Sequence, residues 1–255
     1  KGEFLWITLA FAALCAYGAA RVLRDAREHA PFLASLAVIA CCSGCSMYLS
    51  PLFEPAVAKG YDYDQWIWLT TAASVGQLAY YVPGHFLDRL GPRDGPWRVC
   101  AASGALGFVC FALTSALLNA GVGHGGAGFA LMLLLTLAGG GATAGLTAAT
   151  RHAVGVEAPR GVRGAMVGLL GALKAYSNLW FASYTLVYAP SENTAAVPAK
   201  RLPWSFVWAA MAPLLMAHAG GAAGATPAPP VRALTAAVIG TFLLSGVPLT
   251  PVYRA

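Results

Sequence analysis

Apolar positions in this chain are grouped into long, nearly unbroken runs, set apart by short clusters of charge, glycine and proline. The runs cover residues 4–22, 31–56, 65–87, 97–118, 127–150, 164–188, 204–218 and 231–247. A helix of about 20 residues is roughly 30 Å long, the thickness of a bilayer's hydrocarbon core. The pattern therefore predicts an all-α, polytopic transmembrane helical bundle of about eight spans. The first run is long for a signal-peptide core and reads as a retained helix, although the small residues Ala16, Gly18, Ala19 and Ala20 are also what a cleavage site would offer. Between the runs lie a basic connector (Arg21 to His29), an acidic loop (Tyr61 to Gln65) in which Asp64 is placed to cap the next helix, and a glycine turn at residues 121–126. A charged loop at 151–163 and an Ala/Gly/Pro linker at 220–230 complete the connections. This divides the chain into an N-terminal helix with its basic connector (1–30), a six-helix unit (31–219), and a linker with a last helix (220–255).

Charge supports the count of spans. If each run crosses once, the connections after odd-numbered spans hold Arg21, Arg24, Arg27, Arg89, Arg93, Arg98, Arg151, Arg160, Arg163 and Arg232. The opposite side holds only Lys1, Lys59, Lys200, Arg201 and Arg254, while Lys174 falls inside a span. Arginine-rich connections face the cytoplasm, matrix or stroma, which puts both termini on the other side of an organelle inner membrane or a plasma membrane. Composition agrees: 10% of the residues are charged, against roughly 25% in soluble domains. The net charge of +6 is spread over loops rather than gathered into a basic tract with interleaved aromatics, so no nucleic-acid partner is expected. The expected surroundings are the lipid bilayer and other membrane subunits or a second copy of the chain.

The stretch at residues 84–93 organises the rest. It joins two membrane-length runs, so Asp88, Arg89 and Arg93 must lie at a bilayer surface, with Gly84 allowing close approach and Gly91 turning the chain. Gly84, three residues, Asp88-Arg89, one residue, Gly91 and a basic residue resemble the loop signature between the second and third helices of major facilitator superfamily transporters. Within that superfamily the chain is most similar to the nodulin-like branch. That similarity is carried by residues 48–53 (Tyr48-Leu-Ser-Pro-Leu-Phe53), Tyr63-Asp64-Gln65, the Asp-Arg loop, and residues 167–176 around Lys174. It extends from about Ser43 to Ala217. The resemblance implies one six-helix half of a facilitator-type fold, flanked here by one helix on each side, and alternating access about a site near midplane. It also implies a second half, in a continuation of the chain or in a partner. Gly84, Asp88, Arg89, Gly91 and Arg93 would then form an inner-side latch; read without the resemblance, they are a solvated, topology-setting loop.

Lys174 is the sharpest single residue. It lies about 15 Å into its run, where an ammonium costs on the order of 3 kcal/mol unless it faces protein or water. Asn178 follows one turn on. Gln77, between Ser74 and Tyr81, makes a polar face on the third span, and Tyr48 does so on the second. Tyr48, Gln77, Lys174 and Asn178 are the candidate lining of a cavity for a small anionic solute. The alternative is interhelical hydrogen bonding or a structural pair. Glycines at 104 and 107, at 141 and 145, and at 164, 168 and 171 have the spacing of close helix packing, or of hinges. The six cysteines all sit inside apolar runs, and the histidines are scattered over loops and helix ends, so no metal site, cofactor or catalytic constellation is expected. Two functions remain. One is a solute-transporter-derived half that works with a partner chain. The other is a non-transporting accessory subunit of a large respiratory or photosynthetic membrane complex.

Overall fold

The computed structural model describes residues 2–30, 60–92, 95–121 and 125–188, with a few helical positions between 32 and 40. The second run is thus only partly described, and the seventh and eighth lie outside the described residues, as does all of the sequence from 189 onward. Among the described residues the chain is helical, with no strand. The helices are α1 (Gly2–Asp25), α2 (Tyr63–Leu78), α3 (Tyr81–Leu90), α4 (Gly95–Ala120), α5 (Gly126–Glu157) and α6 (Arg163–Tyr188), with a single 3-10 turn at Arg27–His29. One helix among the described residues, α5, is both long and apolar enough to cross a membrane. Its 32 residues span about 48 Å, well beyond one hydrocarbon thickness.

The run at 65–87 is not one rod. It divides at Ala79 and Tyr80 into α2 and α3. Pro83 is the cause: it has no N–H to offer the Ala79 carbonyl, and its ring would collide with that carbonyl in a continuous helix. Instead Val82 N donates to Ala79 O at 3.1 Å and Ala79 N donates to Gly76 O at 3.1 Å, a tightened pair of turns that redirects the chain. The polar face expected from Ser74, Gln77 and Tyr81 is lost at this break. Ser74 turns its hydroxyl onto Thr70 O of its own helix, and Tyr81 stands exposed at the start of α3.

The cap of α2 also differs from the expectation. Asp62, not Asp64, is the N-cap: its carboxylate accepts from Gln65 N at 2.7 Å, while Gln65 Oε1 accepts from Asp62 N at 3.2 Å. Asp64 is already inside the first turn, where it can favour the helix only through the dipole. Asp62→Ala is expected to cost about 1 kcal/mol, read as faster amide exchange in the first turn of α2, whereas Asp64→Ala should leave those amides protected. Tyr61, just before the cap, is fully buried, which pushes its phenol above its ordinary range.

α5 is the axis of the bundle. α2 and α4 lie along it, α3 bridges α4 and α5, and α1 packs against α6. The α5–α6 connection is tight: Val162 N donates to Pro159 O at 3.1 Å, Arg163 Nη2 donates to Ala158 O at 3.1 Å, and Ala158, Val162 and Met166 are buried beneath it. A single apolar cluster joins Val22 of α1 and Ala26 just beyond it to Leu146 and Val154 of α5 and to Met166 and Leu169 of α6.

Small residues set the helix separations. An added Cβ on Gly140 would strike the Ala73 carbonyl oxygen and come within 3.1 Å of Gln77 N; one on Gly76 would strike the Leu137 carbonyl oxygen. α2 and α5 therefore cross backbone on backbone at this pair. Gly145 meets the side chain of Ser103 on α4 instead of its backbone, and Gly104 and Gly107 are buried on that helix. Gly164, Gly168 and Gly171, which share the spacing, have no neighbour within 4 Å among the described residues, so their expected packing role is not met there.

Candidate functional site

The buried side of the central helix carries hydroxyls among its apolar side chains. On α5, Thr136, Thr143, Thr147 and Thr150 are buried on one face, spaced by seven, four and three residues. Each hydroxyl donates to a carbonyl one turn back: Thr136 to Met132, Thr143 to Gly139, Thr147 to Thr143 and Thr150 to Thr147, all at 2.9–3.1 Å. Their donors are therefore satisfied within the helix, and their oxygens keep free lone pairs turned toward neighbours.

Lys174 of α6 uses one of them. Its ammonium donates to Thr147 Oγ1 at 3.2 Å, in a half-buried position. The tight turn at 158–162 produces this register. Thr147 lies ten residues before the end of α5 and Lys174 eleven after the start of α6, so both stand about 15 Å from the turn. Among the described residues no carboxylate lies within ion-pair distance of Lys174. The nearby charge that acts on it is a like one, Arg151, one turn beyond Thr147 on α5. Lys174 thus makes a part-buried polar contact to a hydroxyl rather than to a counter-ion.

The other candidate cavity residues stand as follows. Gln77 is on α2 with its backbone against Gly140, seven residues and about 10 Å along α5 from Thr147, so Gln77 and Lys174 meet the central helix at different levels. Asn178 lies on α6 beyond Lys174, with its side chain outside the described residues, and Tyr48 falls wholly outside them.

In the Asp-Arg corner, Asp88 and Arg89 are exposed in the last turn of α3, where the arginine complements the helix dipole. Neither makes an ion pair among the described residues. Gly91 turns the chain at φ +84°, a conformation that side chains with a Cβ rarely adopt. Gly84 has no neighbour within 4 Å among the described residues. Arg93 lies outside the described residues.

Thr147 and Arg151 were not singled out by sequence reasoning. Arg151 reads as one more loop arginine, and Thr147 as one polar residue in an apolar run. The signal that was there to find is the one-face spacing of the four threonines with Arg151 one turn on from the third. Set against family models, curated proteins and solved structures, the chain matches none of them.

Proposed function

We propose that this chain is an integral membrane protein built around a facilitator-type six-helix half, similar to the nodulin-like branch, in which Lys174 helps to hold a small anionic solute. What supports the reading is an inverted partition of side chains. On α4, Gly104, Gly107, Cys110 and Thr114 face inward while Leu106, Val109 and Leu113 face out. On α5, the four threonines and Gly139, Gly140 and Gly145 are buried beside Met132 and Leu146, while Leu131, Leu134 and Leu137 are exposed. Water drives leucines inward; lipid exerts no such force, and membrane helices instead pack on small residues and bury their hydroxyls. In this reading the arginine-rich connections face the cytoplasm, matrix or stroma. Alternating access takes two halves, the second supplied by another chain or by a continuation of this one.

The test is uptake by the full chain reconstituted in liposomes, over a panel of radiolabelled small carboxylates and inorganic phosphate. Lys174→Met is expected to lower uptake at least about tenfold while detergent-solubilised protein still elutes as a single folded species. Unchanged uptake in an intact variant would sink the solute reading.

A second reading, an accessory subunit of a larger respiratory or photosynthetic assembly, is favoured by α1. Trp6, Ile7, Leu9, Leu14 and Tyr17 are all exposed on it, an apolar face with two large aromatics that a neighbouring subunit can cover as well as lipid. Co-migration with a multisubunit complex in a mild detergent, with crosslinks leading from α1, would favour that role over transport.

A further inference from the structure

We propose that Arg151 and Lys174 together form a two-pronged receptor for a phosphate group, free or carried on a lipid headgroup, at the seam between α5 and α6. This rests on the reading of Lys174 as an anion-holding residue, and adds the second cation, the chemical class and the side of entry.

Lys174 gives one N–H to Thr147 Oγ1, and the Thr147 proton is committed to the Thr143 carbonyl at 2.9 Å. The threonine therefore fixes the ammonium as an acceptor and does not itself offer a donor to a ligand. Two N–H groups of Lys174 remain. Arg151 follows Thr147 by four residues, which sets it on the same face of α5, one turn nearer the 158–162 connection, with its Cβ about 5–6 Å away. Arg151 is exposed where Lys174 is half-buried. The two cations thus stand at successive depths along one line, and neither has a carboxylate within ion-pair distance among the described residues.

Two like charges placed together without a counter-charge repel, and an anion bridging them removes that repulsion. A guanidinium fork takes two of the roughly four lone-pair sites of a carboxylate and leaves the rest in the same plane, whereas a phosphate presents acceptors on several sides and carries more charge to share between a fork and an ammonium. Entry is from the Arg151 end, the side of the α5–α6 turn.

The experiment uses the full chain in phosphatidylcholine nanodiscs. Equilibrium binding of radiolabelled inorganic phosphate reads the free ligand. Mass spectrometry of lipid co-purified from membranes that also contain phosphatidylglycerol reads the headgroup. Saturable phosphate binding supports a free-phosphate site if it weakens at least about tenfold in Arg151→Gln and in Lys174→Met and is largely kept in Lys174→Arg. Enrichment of phosphatidylglycerol over phosphatidylcholine that disappears in the first two variants supports a headgroup site. Absence of both signals, or signals unchanged in both variants, overturns the proposal. Arg151 is exposed, so Arg151→Gln tests the site without emptying the core. Uptake lost while phosphate binding persists would count against the transport reading alone. Binding absent while uptake persists would count against this receptor alone.

Discussion

Gly140→Ala should leave little folded protein. The new methyl would sit on the Ala73 carbonyl oxygen, with Ala73 C at 3.0 Å and Gln77 N at 3.1 Å. All three obstacles are main-chain atoms inside a helix, so no rotamer change can make room. α2 must move away from α5 along the whole seam, and the contacts around Leu69, Ala73 and Gly76 loosen together. Where lipid surrounds the helices, no hydrophobic gain compensates for that separation, because association rests on close packing and weak Cα–H···O contacts. The expected cost is at least about 3 kcal/mol, at the upper end of overpacking effects. Gly76→Ala, which meets the Leu137 carbonyl oxygen and Gly141 N at 2.9 Å, should behave the same way. The measurement is the yield of monodisperse protein after mild solubilisation, with a thermal melt of whatever survives. A melting temperature within a degree or two of the parent would show that the α2–α5 crossing is looser than described.

Gly145→Ala should also destabilise, but it should be repairable. Here the obstacles are the Ser103 hydroxyl and, at 2.9 Å, the Ser103 Cβ. The hydroxyl can rotate away; the Cβ cannot, so the expected cost is about 1–3 kcal/mol. Replacing Ser103 by glycine in the same chain removes both atoms, and the pair Gly145→Ala with Ser103→Gly should recover most of the lost melting temperature, less the roughly 1 kcal/mol that a glycine costs within a helix. No partner substitution can rescue Gly140→Ala in this way, because its obstacle is backbone. Equal rescue at both sites, or at neither, would contradict the assignment of α4 and α2 to these two levels of α5.

These two positions also show where the sequence was readable and where it was not. Helix locations followed from the length of the apolar runs: the run at 97–118 became Gly95–Ala120, and that at 164–188 became Arg163–Tyr188. Gly91 was identifiable because a chain reversing between two long runs needs a backbone conformation that glycine adopts freely. The α2 cap was also legible, since Asp62 and Gln65 have the spacing of a capping box, yet Asp64 drew the reading by standing nearer the apolar run. Pro83 was visible too, but inside a run of such length its effect on the Ala79 carbonyl is easily passed over. Tertiary pairings were not legible. Gly164, Gly168 and Gly171 have as good a packing spacing as Gly141 and Gly145, and only the positions of neighbouring helices distinguish a glycine with a helix against it from one with no neighbour among the described residues. Thr147 could be assigned as the partner of Lys174 only once the 158–162 turn had set the register of α5 against α6.

The break at Ala79 and Tyr80 affects how force would pass through the molecule. A continuous helix carries torque along its length, so a push on the Asp88-Arg89 corner would be delivered to the Gly76–Gly140 crossing about three turns away. With the rod broken at Ala79 and Tyr80, α3 keeps its own packing on α4 and α5 through the buried Pro83 and Leu87, so a load on the corner passes to those helices before it reaches the α2 crossing.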